Sequence, residues 1–439
     1  MRSAVPIGTL MILLSSVSAA VAQTPLTLAS AMERARTLTP QARALTAGDA
    51  EASERVRRAQ GGYLPSEDVT TSVQRGDHPV FVFSSLLAQR RFTAANFAIA
   101  ALNEPDAVSN VRTFVGAEQL LFDGGHTRSV VRGTELERQM TGLAVNAGRQ
   151  DLALGAAKAF VQVLQAEAIE RAAAAAVAAA DSDIERARAR REVGLATAAD
   201  LLSAEVHHAE VRQRHISAES ELVIARLELG AATGARADEV LVLARPEVPA
   251  ATEPVESLLK QALDRVPELG RARLAVDAAA SQASTARASY WPKVDVQGGV
   301  EFNGANLADQ RSSWIVGAQL QLNLFRGFAD QARLAEARQA EIRTAAERDA
   351  LARRIEVGVR AAAARLDAAR ARDVVGRAAL AQAREAQRIL RDRYETGLAT
   401  MTDVLRASEA TFDAESRAIA AALDVVLQAL ALERAIGRL

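Results

Sequence analysis

Two stretches of this chain repeat each other, and any fold must satisfy both copies at once. Residues 191–202 read REVGLATAADLL and residues 394–405 read YETGLATMTDVL, so Gly-Leu-Ala-Thr and a following Asp recur at an offset of 203 residues. Phe122-Asp123-Gly124 and Phe325-Arg326-Gly327 keep that offset. Tyr63-Leu64-Pro65 and Tyr290-Trp291-Pro292 recur at 227, as do Pro40 and Pro267, which leaves the first copy 24 residues longer between Pro65 and Phe122. Landmarks in matching order mark a duplication. The first repeat is expected over 23–237 and the second over 256–439, with a linker over 238–255 that carries Pro246, Pro249 and Pro254.

Each copy predicts the same elements. A helix, near 40–62 in the first copy, runs to the Tyr-x-Pro, whose proline stops it. A hairpin follows, over 66–121 with strands near 66–77 and 110–121, and over 293–325 in the second copy. There Val294, Val296, Gly298, Val300 and Phe302 share one face. Trp314, Val316, Ala318, Leu320, Leu322 and Leu324 share another, opposite Gln319, Gln321 and Asn323. Such period-two alternation over about ten residues is the pattern of a transmembrane β-barrel; the first-copy strands alternate less cleanly. Long helices come next, over 125–193 and 327–396, free of proline and rich in Ala, Arg, Glu and Leu. Each spans about 100 Å at 1.5 Å per residue. Helices over 198–233 and 401–437 complete the copies. In the last, Leu405, Phe412, Ile419 and Val426 recur every seven residues, with Leu423 and Leu430 between them. This reads as a heptad seam, mirrored by Leu202, Ile216, Val223 and Leu227. The stretch 78–110 inside the first hairpin carries Phe81, Phe83, Phe92 and Phe97 and either folds over a barrel mouth or packs as a surface loop.

The ends and the composition narrow the compartment. Arg2, the apolar run 4–14 and Ala20-Val21-Ala22 form an export signal over 1–22, with cleavage before Gln23. The absence of cysteine excludes disulfides, thiolate metal sites and a lipid anchor on cysteine. The 53 basic and 54 acidic residues are interspersed, so no basic patch offers a nucleic-acid surface. Beyond the signal no uncharged apolar run reaches 18 residues, so helical membrane spans are not expected and any membrane role must use strands. Four strands cannot close a bacterial barrel, whose smallest form has about eight, and an open edge in lipid strands its backbone groups. Closure therefore needs other copies, with eight strands in a dimer or twelve in a trimer.

No catalytic constellation emerges. There is no Gly-rich phosphate loop and no Ser/His/Asp framework. Glu205-x-x-His208 resembles half of a di-iron motif without its second half, and His207, His208 and His215 are expected as solvated helix positions. An enzyme is not expected, nor any cofactor or metal.

The repeated turns carry the remaining signal. In Gly194-Leu195-Ala196-Thr197 and Gly397-Leu398-Ala399-Thr400, Gly ends one helix and Thr caps the next. Asp200 and Asp403 follow near the positive helix end. Capping does not account for the repeated Leu at an exposed tip. Asp123-Gly124-Gly125 and Gly327 are expected as sharp strand-to-helix turns.

The duplicated layout, the strand-end Leu121-Phe122-Asp123-Gly124-Gly125 and the two Gly-Leu-Ala-Thr…Asp turns resemble the outer membrane efflux protein family typified by TolC, across essentially the whole mature chain. The resemblance implies a mixed α/β membrane protein. It would be a homotrimer whose twelve-stranded outer-membrane barrel continues into a periplasmic α-helical barrel. It would serve as a passive exit duct of a tripartite efflux or type I secretion system, beside a periplasmic adaptor (membrane fusion) protein and an inner-membrane pump of RND, ABC or MFS type. The tip turns would contact the adaptor. Tyr394 and Asp200 match an inter-repeat contact that holds the periplasmic entrance shut, and Asp403 matches an acidic ring. Arg406 stands where a second acidic ring is usual and Ala399 where a basic residue is usual, so the gate chemistry departs from the family pattern. The competing reading is a soluble periplasmic coiled-coil or adaptor protein, which would be expected to show a lipoyl-like β domain and a single hairpin.

Overall fold

The structure, a computed structural model, describes residues 25–236, 239, 241–246 and 253–439. The expected export signal and part of the expected linker lie outside the described residues. Helices α1 (Leu28–Thr37) and α2 (Pro40–Gln60) lead into strand β1 (Ser66–Gly76). Short helices α3 (Pro79–Ala88) and α4 (Ile99–Asn103) precede β2 (Val108–Phe122), and the long α5 (His126–Glu192) turns into α6 (Ala198–Thr233). The second half repeats the order with α7 (Val255–Arg265), α8 (Pro267–Ala288), β3 (Lys293–Gly304), β4 (Gln310–Gln321), the long α9 (Ala329–Glu395) and α10 (Met401–Ala435).

Helices α5 and α9 have 67 residues each, about 100 Å. They reach that length because no proline interrupts them and because a partner lines each along its flank. Helix α5 packs on α6, α2, α1, α8 and α10, and α9 on α10, α8 and α7. The seams are built from small residues. On α6 the buried row is Ala204, Val211, Ala218 and Ala225; on α10 it is Val404, Thr411, Ala418, Val425 and Leu432, every seven residues in both. Alanine lets two backbones approach closely, so contact runs unbroken along the pair. This corrects the phase of the seam read from the large residues. Leu405, Phe412 and Ile419 stand only half-buried beside the α10 row, and of that heptad only Val426 is buried. Leu202, Ile216, Val223 and Leu227 do not mirror a seam: they turn outward, 57–64% exposed. The period was legible in the sequence, but the packing picks the smaller residues.

The linker region is partly pinned. Leu26 pairs in parallel with Leu243, and Arg34 holds Glu239 through two hydrogen bonds of 2.7 and 3.0 Å. One 18-residue window of α5 is apolar enough by length and composition to cross a bilayer, but this helix forms the axis of the helical packing.

The strands form one antiparallel sheet in the order β1-β2-β3-β4. The register aligns Val73 with Val111, Val69 with Val115, Val115 with Val300, and Val300 with Trp314. One face therefore carries an apolar row from edge to edge, most exposed on the outer strands, where Val69 is 69% and Trp314 78% exposed, while Val111 is buried. The opposite face is polar, with Arg112 bridging Glu301 at 2.6 Å and Lys293 bridging Asp295 at 3.2 Å. Strand β4 ends at Gln321, so Leu322 and Leu324, read from sequence as strand positions, lie in the descent to α9.

Candidate functional site

Both long helices end in the same way at the tip. Gly194 and Gly397 adopt φ of 77° and 78°, a left-handed conformation that a β-carbon disfavours. The Leu195 N–H then donates to the Arg190 carbonyl and the Leu398 N–H to that of Arg393, both at 2.8 Å. Thr197 and Thr400 each cap the next helix in a reciprocal box, accepting from the Asp200 and Asp403 N–H while those carboxylates accept from the threonine. These bonds, with Arg406 nearby, hold the Asp403 carboxyl below its ordinary range. The capping threonines and aspartates are thus used to make the turn. Leu195 and Leu398 are left pointing out, 67% and 71% exposed, with Val193 beside them. Ala196 and Ala399 continue each turn into its capping threonine.

Just above the turns, the two copies meet. Ala187, Leu201 and Ala204 of the first repeat pack with Tyr394, Met401 and Val404 of the second. The Arg190 guanidinium lies 5.0 Å from the centre of the Tyr394 ring and donates to the Glu395 carbonyl at 2.9 Å. Burial raises the Tyr394 pKa, with Asp200 and Asp183 adding to the shift and Arg190 and Arg186 opposing it, so the hydroxyl remains a donor. That hydroxyl is buried and has no hydrogen-bond partner among the described residues, while Asp200 is engaged in its capping box. Within one chain Tyr394 and Asp200 therefore share a neighbourhood but no hydrogen bond. Arg406 is exposed on α10, one turn from Asp403.

Deeper in the helical region, charged residues fill a cavity of about 210 Å³ between the two helix pairs. Asp183 is buried against Arg186 and lies 3.8 Å from Arg391 of the other long helix. His207 is buried, not solvated as the sequence suggested, and faces Glu409 at 3.6 Å. His208 pairs with Asp181 at 2.9 Å and His215 with Glu170 at 3.2 Å, so all three histidines bridge to neighbouring helices. His207, Glu210 and Glu409 come close enough to share an ion, but Arg214 already binds Glu409 at 3.0 Å while stacking on Phe412. The arrangement works as an ion-paired helix junction. Sequence reading missed Arg190, Asp183, Arg214 and Arg391. Three of them left a trace, since Arg188 and Arg391, Arg190 and Arg393, and Arg214 and Arg417 each stand 203 residues apart; Asp183 has no such counterpart.

At the other end of α5, Asp123 accepts from the N–H of Gly125 at 3.0 Å and of Thr127 at 2.7 Å. Burial opposes its ionisation, but these bonds prevail and keep its carboxyl low. Gly124, at φ 67°, admits no side chain, since a β-carbon would come within 2.4 Å of Trp291 Cβ. In the second copy Gly327 has φ 58° and Phe328, in place of Gly125, also takes the left-handed form at 65°. Its ring meets Phe325 edge-on at 5.3 Å. Tyr63, Tyr290 and Trp291, at the same end of the strands, are exposed as well.

A four-stranded sheet with an exposed apolar row, joined to helices of about 100 Å, has the make-up of a strand-based membrane duct with a long helical extension. The chain belongs to the outer membrane efflux protein family, whose profile matches residues 31–235 and 258–438. Among characterised proteins it is similar to the outer membrane protein TolC of Vibrio cholerae, 25% identical over 302 residues, 67% of this chain and 69% of that one. In fold it resembles VceC of Vibrio cholerae, with a TM-score of 0.76 at 19% identity over 93% of this chain and 96% of that one. It also resembles the CmeC outer membrane channel of Campylobacter jejuni, with a TM-score of 0.78 at 14% identity over 94% and 85% of the two chains. The protein is an outer-membrane channel of tripartite efflux systems, a transport duct and not an enzyme. Channels of this type form trimers and work with adaptors and inner-membrane pumps.

Proposed function

We propose that three copies of this chain close one twelve-stranded barrel and one helical tube, and that the Leu195 and Leu398 tips dock a periplasmic adaptor. The observation that carries this reading is the sheet itself. Its β1 and β4 edges are unpaired among the described residues while one face carries a largely exposed apolar row, a state tolerated in lipid only if neighbouring copies pair the edges. The outward row Leu202, Ile216, Val223 and Leu227 supports it, as a second seam for a neighbour's helix. On this reading the Tyr394 hydroxyl finds its acceptor across the entrance, and Asp403 with Arg406 sets a nearly neutral ring there. The repeats 23–237 and 256–439 each supply one hairpin and one helix pair to the wall. Membrane fractionation tests the proposal: the protein should sediment with the outer membrane, need detergent for extraction, and migrate as an oligomer before boiling. Recovery as a soluble monomer from periplasmic extract would overturn it.

A further inference from the structure

The two hairpins of the sheet are closed in very different ways. Between β3 and β4 only residues 305–309 intervene, with the Asn306 carboxamide oxygen accepting from the Ala308 and Asp309 N–H groups at 3.0 Å each. Between β1 and β2 lie residues 77–107, which hold α3 and α4. This insert does not stand away from the sheet. Helix α3 buries Val82, Ser85 and Leu86, and Gln89 just beyond it, a stripe at three- and four-residue spacing that faces the strands. The buried Gln89 donates to the Ser109 carbonyl at 2.8 Å and to Asn110 Oδ1 at 2.9 Å. Asn110 passes the chain on to Asn303 at 2.9 Å, and Asn303 reaches Glu301, which Arg112 holds.

These partners decide which side the insert occupies. Asn110, Arg112, Glu301 and Asn303 all belong to the polar face of the sheet, opposite Val111, Val300 and Trp314. Arg90 turns out of α3 at φ 55° and donates to the Ser312 carbonyl of β4 at 3.1 Å, so the insert spans the sheet from its first hairpin to its last strand. Phe83, Phe92 and Phe97 stack edge to face at 4.9 and 5.0 Å and stiffen it. What remains is a set of apolar side chains that stay exposed on their own copy: Val80 at 70%, Ile99 at 78% and Phe97, at 66% despite its contact with Phe92.

From this geometry we infer that the 77–107 inserts of three copies meet inside the extracellular mouth and form a second constriction, which sets the size of what can leave. The inference rests on the three-copy barrel proposed above. Strands about 4.8 Å apart and tilted by about 40° close a twelve-stranded barrel about 24 Å across. Three side-by-side helices, each about 10 Å thick, fill a circle of about 22 Å. An insert lying on the polar face of each copy therefore has only the other two inserts across from it. Val80, Phe97 and Ile99 are the side chains positioned to meet them.

Because the protein has no cysteine, single introduced thiols report cleanly. Val80→Cys, Phe97→Cys and Ile99→Cys, each made alone, are treated on intact cells with a short bis-maleimide, beside Leu307→Cys in the other hairpin turn as control. At least one insert position should give cross-linked pairs while the control gives none. In parallel, Gln297→Cys on the polar face is labelled from outside with a 5-kDa polyethylene glycol maleimide. Replacing residues 77–107 by the 305–309 turn should speed that labelling about tenfold or more. A trimer on native gels with no insert cross-link and unchanged labelling would overturn the constriction while leaving the barrel standing. Failure to form a trimer at all would instead remove the barrel reading on which it rests. If the shortened protein does not fold, the cross-linking arm alone decides.

Discussion

Replacing both tip leucines, Leu195→Asp with Leu398→Asp, separates docking from folding because the structure places these side chains almost wholly in solvent. At 67% and 71% exposure neither contributes much to the chain's own packing, so the fold should lose less than about 0.5 kcal/mol. Full burial of a leucine is worth about 1.5–3 kcal/mol. A partner that covers the exposed two-thirds therefore gains about 1–2 kcal/mol per tip, or about 2–4 kcal/mol per chain. Losing it weakens adaptor binding by about 30- to 1,000-fold, and burying two unpaired carboxylates weakens it further. Binding of the purified adaptor to the immobilised channel should show this loss, with unchanged abundance in the outer membrane and unchanged thermal stability. In cells the same variant should become sensitive to exported toxic compounds. Wild-type affinity and wild-type resistance at normal abundance would refute the argument and leave the turns as connectors.

Three further outcomes follow from the packing and the charges. Tyr394→Phe removes a buried hydroxyl that has no acceptor among the described residues, so if it closes the entrance across copies, single-channel conductance in planar bilayers should rise, and Asp200→Ala should add to it; conductance equal to wild type for the double variant would place closure elsewhere. Ala218→Leu inserts bulk into the small-residue seam of α6 and should cost about 1–3 kcal/mol by overpacking, whereas Ser220→Leu on the exposed side of the helix should not; this is read from thermal melts of the detergent-extracted protein. Asp123→Asn weakens two bonds to the start of α5 and should lower stability at neutral pH by about 1–2 kcal/mol. Since the folded Asp123 carboxyl sits below its ordinary range, that stabilisation is full above the unfolded carboxyl pKa and fades as pH falls through the lowered folded value, so the difference between wild type and variant should shrink on acidification below the ordinary carboxylate range.

Much of the architecture was readable because it is periodic. Proline-free alanine-rich runs announce α5 and α9, and alternation announces β3 and β4. The turn glycines announce the tips, since only a left-handed residue fits there. What periodicity could not supply was phase. Leu405, Phe412 and Ile419 are the larger residues on α10, yet Val404, Thr411 and Ala418 make the closer contact with α9. Close approach of two backbones rewards small volume, which a hydrophobicity pattern does not rank. The gate was only partly legible for a related reason. Asp200 and Tyr394 were visible by position, but the Arg190 guanidinium over the Tyr394 ring joins residues 204 positions apart, and no local pattern encodes that contact. The polar chain from Gln89 through Asn110 to Asn303 was invisible too. Its members are ordinary amides until the β2–β3 register brings them together.

The central claim, that one chain supplies a third of a closed tube, is tested most directly by native mass spectrometry of the protein extracted from outer membranes in mild detergent. The chain of 46.6 kDa should appear as a complex of three identical copies with no monomer or dimer of comparable abundance. A dominant monomer would leave the β1 and β4 edges unpaired in lipid, and a dominant dimer would close eight strands in place of twelve; either result would contradict the account.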